Sequence, residues 1–266
     1  MTFIRLCLGL VFLSISALAA IAPGKLLWSD EFSGAAGSKP DPSKWTYDLG
    51  GNGWGNKELE NYTDSSANAF LDGKGHVVIR AVKDAEGRFT SARMKTQGRF
   101  SFTYGRVEAR MKLPRGQGMW PAFWMLGNDI AKVGWPACGE VDIMESLGRE
   151  PAIVHGTVHG PGYSGKHGIS AQYALPGMSP LADDFHLYAA DWTPNRIEFS
   201  IDGHVYATVT PASLPPGTKW VYNHPFFLIL NLAVGGAWPG NPDASTIFPQ
   251  DLTVDYVRVY ELPPEK

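Results

Sequence analysis

The sequence predicts an all-β fold, an antiparallel β-sandwich formed by one domain. Short runs that alternate apolar and polar residues recur along the chain, which is typical of strands with one buried face. Turn-forming residues separate these runs, with 30 glycines and 20 prolines among 266 residues. No long stretch repeats its apolar residues with the 3.6-residue period of a helix. Sandwiches of roughly 200–250 residues fold as one unit, so the length requires no second domain.

The clearest alternating runs predict strands at residues 76–82, 104–113, 197–201, 205–209 and 252–260. The first run ends near the turn-forming residues 84–87, and the second stops at Pro114, because proline cannot donate to a strand ladder. The third and fourth runs flank Asp202 and Gly203, a dipeptide that favours a two-residue hairpin turn. Many short strands with frequent turns favour a sandwich over a parallel sheet covered by helices.

The first 19 residues have the pattern of a secretory signal peptide. Arg5 precedes an apolar run over residues 6–13, and Ala17 and Ala19 occupy the small-residue positions of a cleavage site. The alternative is a retained membrane anchor, but the apolar run is shorter than the about 20 residues that a spanning helix requires. We therefore expect cleavage after Ala19, a mature chain without membrane attachment, and a secreted protein in the extracellular or periplasmic space.

Charge, composition and cysteine content exclude several classes of protein. The formal net charge is −3, so no basic surplus is present to neutralise phosphates, and nucleic acid is not an expected partner. Charged residues make up 18% and aromatic residues 12% of the chain, which argues against a disordered polymer. Cys7 lies in the signal peptide and Cys138 then stands alone, which excludes an internal disulfide. We expect a monomer.

Three carboxylates lie close together in an apolar run, at Glu140, Asp142 and Glu145. On a regular strand, residues i and i+2 share a face, whereas residue i+5 points to the opposite face. A β-bulge at Ile143 and Met144 would add one residue and return Glu145 to the face of the other two acids. The spacing therefore predicts three acids on one concave face of a bulged strand.

Carboxylates that share a face repel one another at neutral pH, so an acidic strand without function is the weakest interpretation. A metal site and a pair of glycosidase acids with raised pKa values are the other two. A retaining glycosidase needs a nucleophile and an acid/base about 5–5.5 Å apart, which neighbouring same-face positions can supply. The four tryptophans that are candidates to stack on sugar rings are Trp120, Trp124, Trp135 and Trp238. Trp120 and Trp124 are four residues apart in an extended run and therefore share a face.

Residues 135–145, Trp-Pro-Ala-Cys-Gly-Glu-Val-Asp-Ile-Met-Glu, resemble the signature of glycoside hydrolase family 16 in its laminarinase-like branch. Segments that agree with the same family lie at residues 28–32, 118–126, 155–160 and 231–236. The resemblance extends from about residue 27 to residue 261. It implies a jelly-roll, concanavalin A-like sandwich with a substrate cleft, which makes residues 20–266 a catalytic domain that cleaves internal β-1,3-glucan linkages with retention.

The resemblance also implies roles for the three acids. Glu140 corresponds to the nucleophile, Glu145 to the general acid/base, and Asp142 to the carboxylate between them; this order comes from the family and not from the spacing. Met144 corresponds to the inserted residue of the laminarinase branch. The charge of Asp142 is expected to adjust the pKa of Glu140 and to help keep Glu145 protonated. The implied reaction needs no cofactor.

The resemblance extends the site to two further residues and to the tryptophans. His159 corresponds to a residue that supports the acid/base, with a purely structural histidine as the alternative. Asn61 lies in a segment that resembles the family's loop at the non-reducing end of the cleft. Trp135 and Trp238 lie in loop-like sequence, which favours sugar contact over burial in the core.

A structural calcium on the convex face is a further implication of the resemblance. The matching positions are Glu31, a backbone carbonyl near Gly75, and Asp255 on the last predicted strand. Oxygen ligands from distant segments suit a hard cation that ties the two ends of a domain together. The alternative is that Asp255 is an ordinary outward-facing strand residue.

Two other functions remain open from the sequence. A non-catalytic glucan-binding lectin on the same sandwich would explain the aromatic residues, although binding alone does not require three carboxylates. A mixed-linkage β-glucanase, an agarase or a carrageenase is the alternative among enzymes, and the mild acidity of the chain argues against a sulfated substrate. Release of reducing sugar from laminarin separates the enzyme from the lectin.

Overall fold

Two β-sheets pack against each other in the computed structural model, which describes residues 24–263. The predicted signal peptide lies outside the described residues. Within them, the strands in chain order are Leu26–Asp30 (β1), Thr46–Asp48 (β2), Glu60–Tyr62 (β3), Ala69–Leu71 (β4), Val77–Lys83 (β5), Phe89–Ser91 (β6), Arg93–Lys95 (β7), Gly105–Lys112 (β8), Met119–Gly127 (β9), Glu140–Glu145 (β10), Ile153–His159 (β11), Ile169–Ala174 (β12), His186–Thr193 (β13), Arg196–Ile201 (β14), His204–Val209 (β15), Phe226–Val234 (β16) and Gln250–Tyr260 (β17). One helix, Ile130–Val133 (α1), and the 3-10 turns Gly165–His167, Pro176–Met178 and Pro211–Ser213 complete the elements of this region.

The predicted strands are all confirmed, with shifts of one or two residues at their ends. They correspond to β5, β8, β14, β15 and β17. The predicted hairpin turn is also confirmed, because β14 pairs with β15 around Asp202 and Gly203, which have φ values of 50° and 79°. Positive φ at both central residues is the requirement of a type I′ turn, and it explains why this dipeptide closes the hairpin.

The larger sheet has the strand order β15-β14-β13-β8-β17-β5-β6-β3, with β1 also on β17 and β4 also on β5. The smaller sheet has the order β12-β11-β10-β9-β16-β7-β2. The pairings within the described residues are antiparallel except for β3 with β6. This is the antiparallel sandwich that the alternating runs predict, and the acidic strand β10 lies inside the smaller sheet between β9 and β11.

Side chains from both sheets form the core between them. The larger sheet contributes Tyr188 and Trp192, whereas the smaller sheet contributes Phe123 and Leu230, all with no exposed surface. Every residue of β16 is buried, so this strand lacks the alternation that would have revealed it in the sequence. Burial of each large apolar side chain stabilises the fold by roughly 1.5–3 kcal/mol, which is the source of stability expected for a chain whose Cys138 is a free, buried thiol.

The described part of the chain contains no helix that is long and apolar enough to cross a membrane.

Candidate active site

Strand β10 contains the β-bulge that the spacing of the acids predicts. Asp142 lies opposite Trp124 of β9, and Glu145 lies opposite Ala122, so three steps along β10 match two steps along β9. The same shift occurs against β11, where Asp142 pairs with Thr157 and Glu145 with His155. One residue of β10 is therefore extra on both sides, which is the definition of a bulge.

The bulge turns two successive side chains into the core. Val141, Ile143 and Met144 all belong to the buried cluster between the sheets. Because the alternation is broken at Ile143 and Met144, Glu145 returns to the side of the sheet that carries Glu140, and the prediction is confirmed. Ile143 is the residue without a partner on β9, whereas Met144 pairs with Phe123. Against β11 neither Ile143 nor Met144 has a partner, so the bulge covers both residues as predicted, and Met144 as the residue inserted in this branch of the family stays a prediction.

The two outer acids each accept one hydrogen bond from an indole. The indole N–H of Trp135 donates to Glu140 Oε2 over 2.8 Å, and that of Trp120 donates to Glu145 Oε1 over 2.9 Å. An indole N–H is a neutral donor, so it orients a carboxyl group without neutralising it as a guanidinium would. Each acid also keeps one oxygen that no indole contacts.

His159 lies directly opposite Glu140 on β11 and reaches the other acids from there. Its Nε2 is 3.2 Å from Asp142 Oδ2 and 3.7 Å from Glu140 Oε1. The imidazole thus borders the nucleophile candidate and the central carboxylate, whereas the sequence predicts a place beside the acid/base Glu145. Its ring is held by the backbone at Gly168, where an added Cβ would lie 2.5 Å from Nδ1.

Burial and mutual repulsion hold the protons of the three acids more tightly than in water. Burial, and after it the charge of Asp142, raises the pKa of Glu140 to about 8, while His159 and the Trp135 bond act in the opposite direction. Burial also raises the pKa of Asp142. For Glu145, burial and then the Asp142 charge raise the pKa well above its ordinary value. A site in which Glu145 stays protonated beside an ionisable neighbour is suited to acid–base work.

One aromatic wall borders the Glu145 side of the site. Trp238 packs edge-on against Trp120, with ring centroids 5.5 Å apart, and against His155 at 5.1 Å. His155 pairs with Glu145 across the strands, and its Nε2 lies 3.1 Å from Glu150 Oε2. His155 is a site residue that the sequence alone does not single out, although its place four residues before His159 on one strand is a signal that the two share a face.

A second wall lies beside Asp142 and is built around Trp124. The indole N–H of Trp124 donates to Asn231 Oδ1 over 2.7 Å, and Asn231 Nδ2 donates to the Tyr62 hydroxyl over 3.1 Å. The Arg93 guanidinium lies over the rings of Trp124 and Trp54, at 4.7 and 4.8 Å from their centroids. Such stacking fixes the orientation of the Trp124 ring.

The predicted sugar-binding residues are distributed over these walls with one exception. Trp120 and Trp124 are half-buried on β9, and Trp135 and Trp238 are 48% and 38% exposed. Asn61 is exposed on β3, between the inward-facing Glu60 and Tyr62, and the structure does not bring it to the three acids. Tyr62, its neighbour, is the residue of that segment that connects to the site. Substrate contact by Asn61 stays a prediction.

The residues predicted to bind calcium lie together beside β17, at the point where its pairing changes from β5 to β1. Val77 of β5 pairs with Val254 and Asp30 of β1 with Val257, so Glu31 and Gly75 both lie beside Asp255. A Cβ on Gly75 would lie 4.0 Å from the Glu31 carbonyl oxygen.

Both carboxylates at this junction already have cationic partners. Arg258 donates twice to Glu31, over 2.9 and 2.8 Å, and Arg110 donates to Asp255 Oδ2 over 2.7 Å. The other oxygen of Asp255 lies 4.0 Å from His76 Nε2. The donors that fit a hard cation are therefore two backbone carbonyls and one carboxylate oxygen, which leaves most of the 6–8 ligands of Ca²⁺ to water.

Comparison with known proteins agrees with this geometry. Residues 56–258 match the model of "Glycosyl hydrolases family 16". A "Beta-glucanase" of Rhodothermus marinus is 45% identical over 249 residues, covering 89% of this chain and 85% of the relative. Among solved structures, the laminarinase catalytic domain of Thermotoga maritima superposes with a TM-score of 0.84 at 47% identity, covering 91% of this chain and 100% of the other.

A second solved structure gives the same result. The endo-β-1,3-glucanase of Pyrococcus furiosus superposes with a TM-score of 0.82 at 49% identity, covering 89% of this chain and 94% of the other. The sequence identity extends over nearly the full length of both chains. It therefore covers the whole sandwich and not only the acidic strand. The chain belongs to glycosyl hydrolase family 16 and is a glycoside hydrolase.

Proposed function

We propose that the protein is a retaining endo-β-1,3-glucanase that acts on laminarin-type glucan, with Glu140 as nucleophile and Glu145 as general acid/base. The observation that carries the proposal is the bulged strand, which sets both acids on one face, each with one indole bond and one open oxygen. The protein's relatives include a β-glucanase and a laminarinase, which supports the substrate class.

In the first step, Glu140 attacks the anomeric carbon and Glu145 gives its proton to the departing glycosidic oxygen. A covalent glycosyl–enzyme forms and the bond between the two sugars breaks. In the second step, Glu145 takes a proton from water, whose oxygen displaces Glu140, so both acids return to their starting forms. Burial, which raises the pKa of Glu145, supplies the acid that the first step needs.

Asp142 and His159 influence whether the carboxyl group of the nucleophile Glu140 is ionised. Asp142 lies between the two acids, and its charge raises the pKa of both. His159 is close enough to Glu140 and Asp142 to stabilise an ionised oxygen on either one when its ring is protonated. No cofactor takes part, because both proton transfers and the nucleophilic attack come from side chains.

Product analysis on laminarin, lichenan and curdlan in parallel tests the proposal. We expect rapid release of oligosaccharides from laminarin, with the β-anomer appearing first by NMR because two inversions give retention. Greater activity on lichenan would favour the mixed-linkage alternative. Binding of laminarin without release of reducing ends would favour the lectin and overturn the proposal.

Secretion and a monomeric state are part of the same proposal. The supporting observation is the N-terminal sequence, in which an apolar run after Arg5 ends at small residues around Ala19. A polysaccharide substrate too large to enter a cell suits an exported enzyme. Mass spectrometry of the mature protein is expected to give an N-terminus at Ala20, and light scattering is expected to give the mass of one chain.

A calcium ion at the junction of β1, β5 and β17 is the last part of the proposal. The carbonyls of Glu31 and Gly75 and one oxygen of Asp255 would hold it, and the ion would tie the first and last strands together. We expect EDTA to lower the melting temperature, added Ca²⁺ to restore it, and Asp255→Asn to remove the difference. Equal melting temperatures with and without EDTA would exclude the ion.

A further inference from the structure

Three possible metal ligands converge in the active site. His159 Nε2, a carboxylate oxygen of Asp142 and one of Glu140 all lie within 4.8 Å of one another. His159 Nε2 lies 3.2 Å from Asp142 Oδ2 and 3.7 Å from Glu140 Oε1. The three side chains come from neighbouring strands, β10 and β11, so the backbone of the sheet fixes their relative positions.

These separations suit ligands around a small ion. With metal–ligand bonds of about 2.0–2.2 Å, two ligands of a tetrahedral ion are about 3.3–3.6 Å apart. A hydrogen bond between an imidazole and a carboxylate would instead draw the atoms to about 2.7–2.9 Å. The separations of His159 Nε2 from the two carboxylates are therefore longer than short charge-assisted hydrogen bonds and match the spacing of ligands around a small ion.

A buried, unsatisfied oxygen points into the cluster. The Asp142 side chain is 5% exposed, and its Oδ2 has no hydrogen-bond partner among residues 24–263. A buried carboxylate oxygen that no donor reaches is destabilising. The atom that lacks a partner is the one that lies nearest to His159 Nε2, so a cation between them would satisfy it.

We propose that Glu140, Asp142 and His159 bind a divalent first-row transition ion such as Zn²⁺ or Co²⁺, and that the bound ion inhibits the enzyme reversibly. An imidazole ligand favours these ions over Ca²⁺ and Mg²⁺, which prefer oxygen. Binding uses the Glu140 oxygen that attacks the sugar, so the ion and the substrate exclude each other. A fourth position remains for water.

The surroundings of His159 limit the affinity. A metal-binding histidine ordinarily donates its second ring N–H to an acceptor, and loss of that partner weakens metal binding about 10–100-fold. Here Nδ1 has no partner in the described part of the chain, and the ring is oriented by packing against Gly168 and Trp135 instead of by an acceptor at Nδ1. The site is therefore suited to a reversible inhibitor and not to a permanent cofactor.

Titration of the metal-free, purified protein with Co²⁺ tests the site, because tetrahedral Co²⁺ absorbs visible light with an intensity that the hydrated ion lacks. We expect one Co²⁺ per chain, displacement by Zn²⁺, and at least tenfold weaker binding in both His159→Asn and Asp142→Asn. His167→Asn, which changes an exposed histidine in the turn Gly165–His167, is the matched control and is expected to bind as the wild type does.

The outcomes separate this site from surface binding and from failure of the proposed function. If the wild type with Co²⁺ does not show the visible spectrum of a tetrahedral ion, or if His159→Asn binds Co²⁺ with unchanged affinity, the proposed site is overturned. Loss of binding in His167→Asn would assign the ion to the surface and overturn it as well. Circular dichroism confirms that each variant folds. The readout is metal binding, so it holds whichever glucan the enzyme cleaves, and inhibition by Zn²⁺ that EDTA reverses completes the test.

Discussion

Two clusters of acids within residues 24–263 can be compared, because both are shielded from solvent and their contacts differ. The first is the active-site group on β10, Glu140, Asp142 and Glu145. The second is the pair Glu58 and Glu60, which precedes and begins β3 and which is also buried. Both groups contain acids at positions i and i+2, so their local sequences are alike.

The second pair is held by structural donors. Glu58 accepts from Asn56 Nδ2 over 2.9 Å and from the Tyr62 hydroxyl over 3.2 Å, so both of its oxygens have partners. Glu60 accepts from the backbone N–H of Val234 over 2.6 Å, which joins β3 to the end of β16. These acids organise the backbone and the Tyr62 hydroxyl.

The difference shows what makes an acid reactive in this fold. Burial alone does not, because Glu60 has no exposed surface whereas Glu145 is 8% exposed. Glu140 and Glu145 instead each accept one neutral indole N–H and keep their other oxygen on the face of the sheet that carries the site, whereas the second oxygen of Glu60 is completely buried. Glu58 has no free oxygen and serves as an anchor. Four predictions test this contrast, beginning with the largest effect on turnover.

The largest effect is expected from Glu140→Gln and Glu145→Gln. An amide can neither attack the anomeric carbon nor donate the proton, so each variant is expected to lose at least 10²–10⁴-fold in kcat on laminarin. Glu58→Gln is the matched control, with an expected loss of less than tenfold. If Glu58→Gln lost as much as the other two, the contrast between the groups would be wrong.

Azide separates the roles of the two reactive acids. In a Glu140 variant, the small anion can replace the missing nucleophile and give a glycosyl azide of inverted configuration. In a Glu145 variant, azide can attack the glycosyl–enzyme and give a product of retained configuration. The opposite pattern would exchange the assignments of Glu140 and Glu145.

The second prediction concerns the bulge. Deletion of Met144 shortens the path from Glu140 to Glu145 and removes the bend that aims Glu145 at the site, although both acids still share a face on a regular strand. A displacement of about 1 Å can cost about 10²-fold in rate, so we expect a loss of that order. Initial rates on laminarin check it.

Met144→Leu is the control for the deletion. Met144 is fully buried, and a volume-conserving exchange costs less than about 1.5 kcal/mol in a core. We expect nearly wild-type rates, whereas Met144→Ala, which leaves a cavity, is expected to lower the melting temperature as well. Equal activity in the deletion and in Met144→Leu would mean that the bulge does not set the catalytic geometry.

The bulge also marks how far the sequence predicts the site. Alternation and one extra residue are local properties, so the shared face of Glu140, Asp142 and Glu145 follows from β10 alone. The sequence of β10 does not determine which of Ile143 and Met144 lacks a partner, because that depends on how the strand pairs with β9. The strand order is what decides it.

The second wall was not predictable for the same reason. Asn231 lies 107 positions from Trp124 and 169 from Tyr62; the adjacency of β9 and β16 brings Asn231 to Trp124, and the approach of β3 to β16 brings it to Tyr62. The segment 58–60 has the same i, i+2 acids as β10, so only its hydrogen bonds separate an anchor from a reactive pair. Strands with a regular pattern were predicted well, whereas the wholly buried β16 was not.

The third prediction tests the connection between the two groups. Tyr62→Phe removes the hydroxyl that joins Asn231 to Glu58 and thereby loosens the Trp124 ring. A lost hydrogen bond of about 1–1.4 kcal/mol corresponds to a roughly five- to tenfold increase in KM at nearly constant kcat. Steady-state kinetics on laminarin oligosaccharides measure both.

Tyr104→Phe is the matched control, because its hydroxyl donates to Asn223 at a distance from the acids. It is expected to leave KM unchanged. A fall in kcat with constant KM for Tyr62→Phe would instead place the hydroxyl in the chemical step, and the second group could no longer be described as an anchor alone.

The last prediction concerns stability, since Glu60 is expected to affect turnover least. Burial, and after it the charge of Glu58, raises the pKa of Glu60 to about 9. Below about pH 4.5 the carboxyl is protonated in both the folded and the unfolded chain. Above it the unfolded chain releases the proton while the folded chain keeps it, so the free energy of unfolding falls with rising pH.

Glu60→Gln removes this dependence, because glutamine does not titrate. The acids of β10 lower the free energy of unfolding with rising pH in both the wild type and the variant. The difference in this free energy between the two proteins therefore isolates Glu60, and it changes by up to about 1.4 kcal/mol per pH unit between pH 4.5 and 9. We expect the variant to gain in melting temperature relative to the wild type from pH 5 to pH 8.5, with unchanged kcat on laminarin. A difference that stays constant over this range would mean that Glu60 is ionised in the folded chain, and the group that accepts the Val234 N–H would then be a buried charge and not a neutral carboxyl.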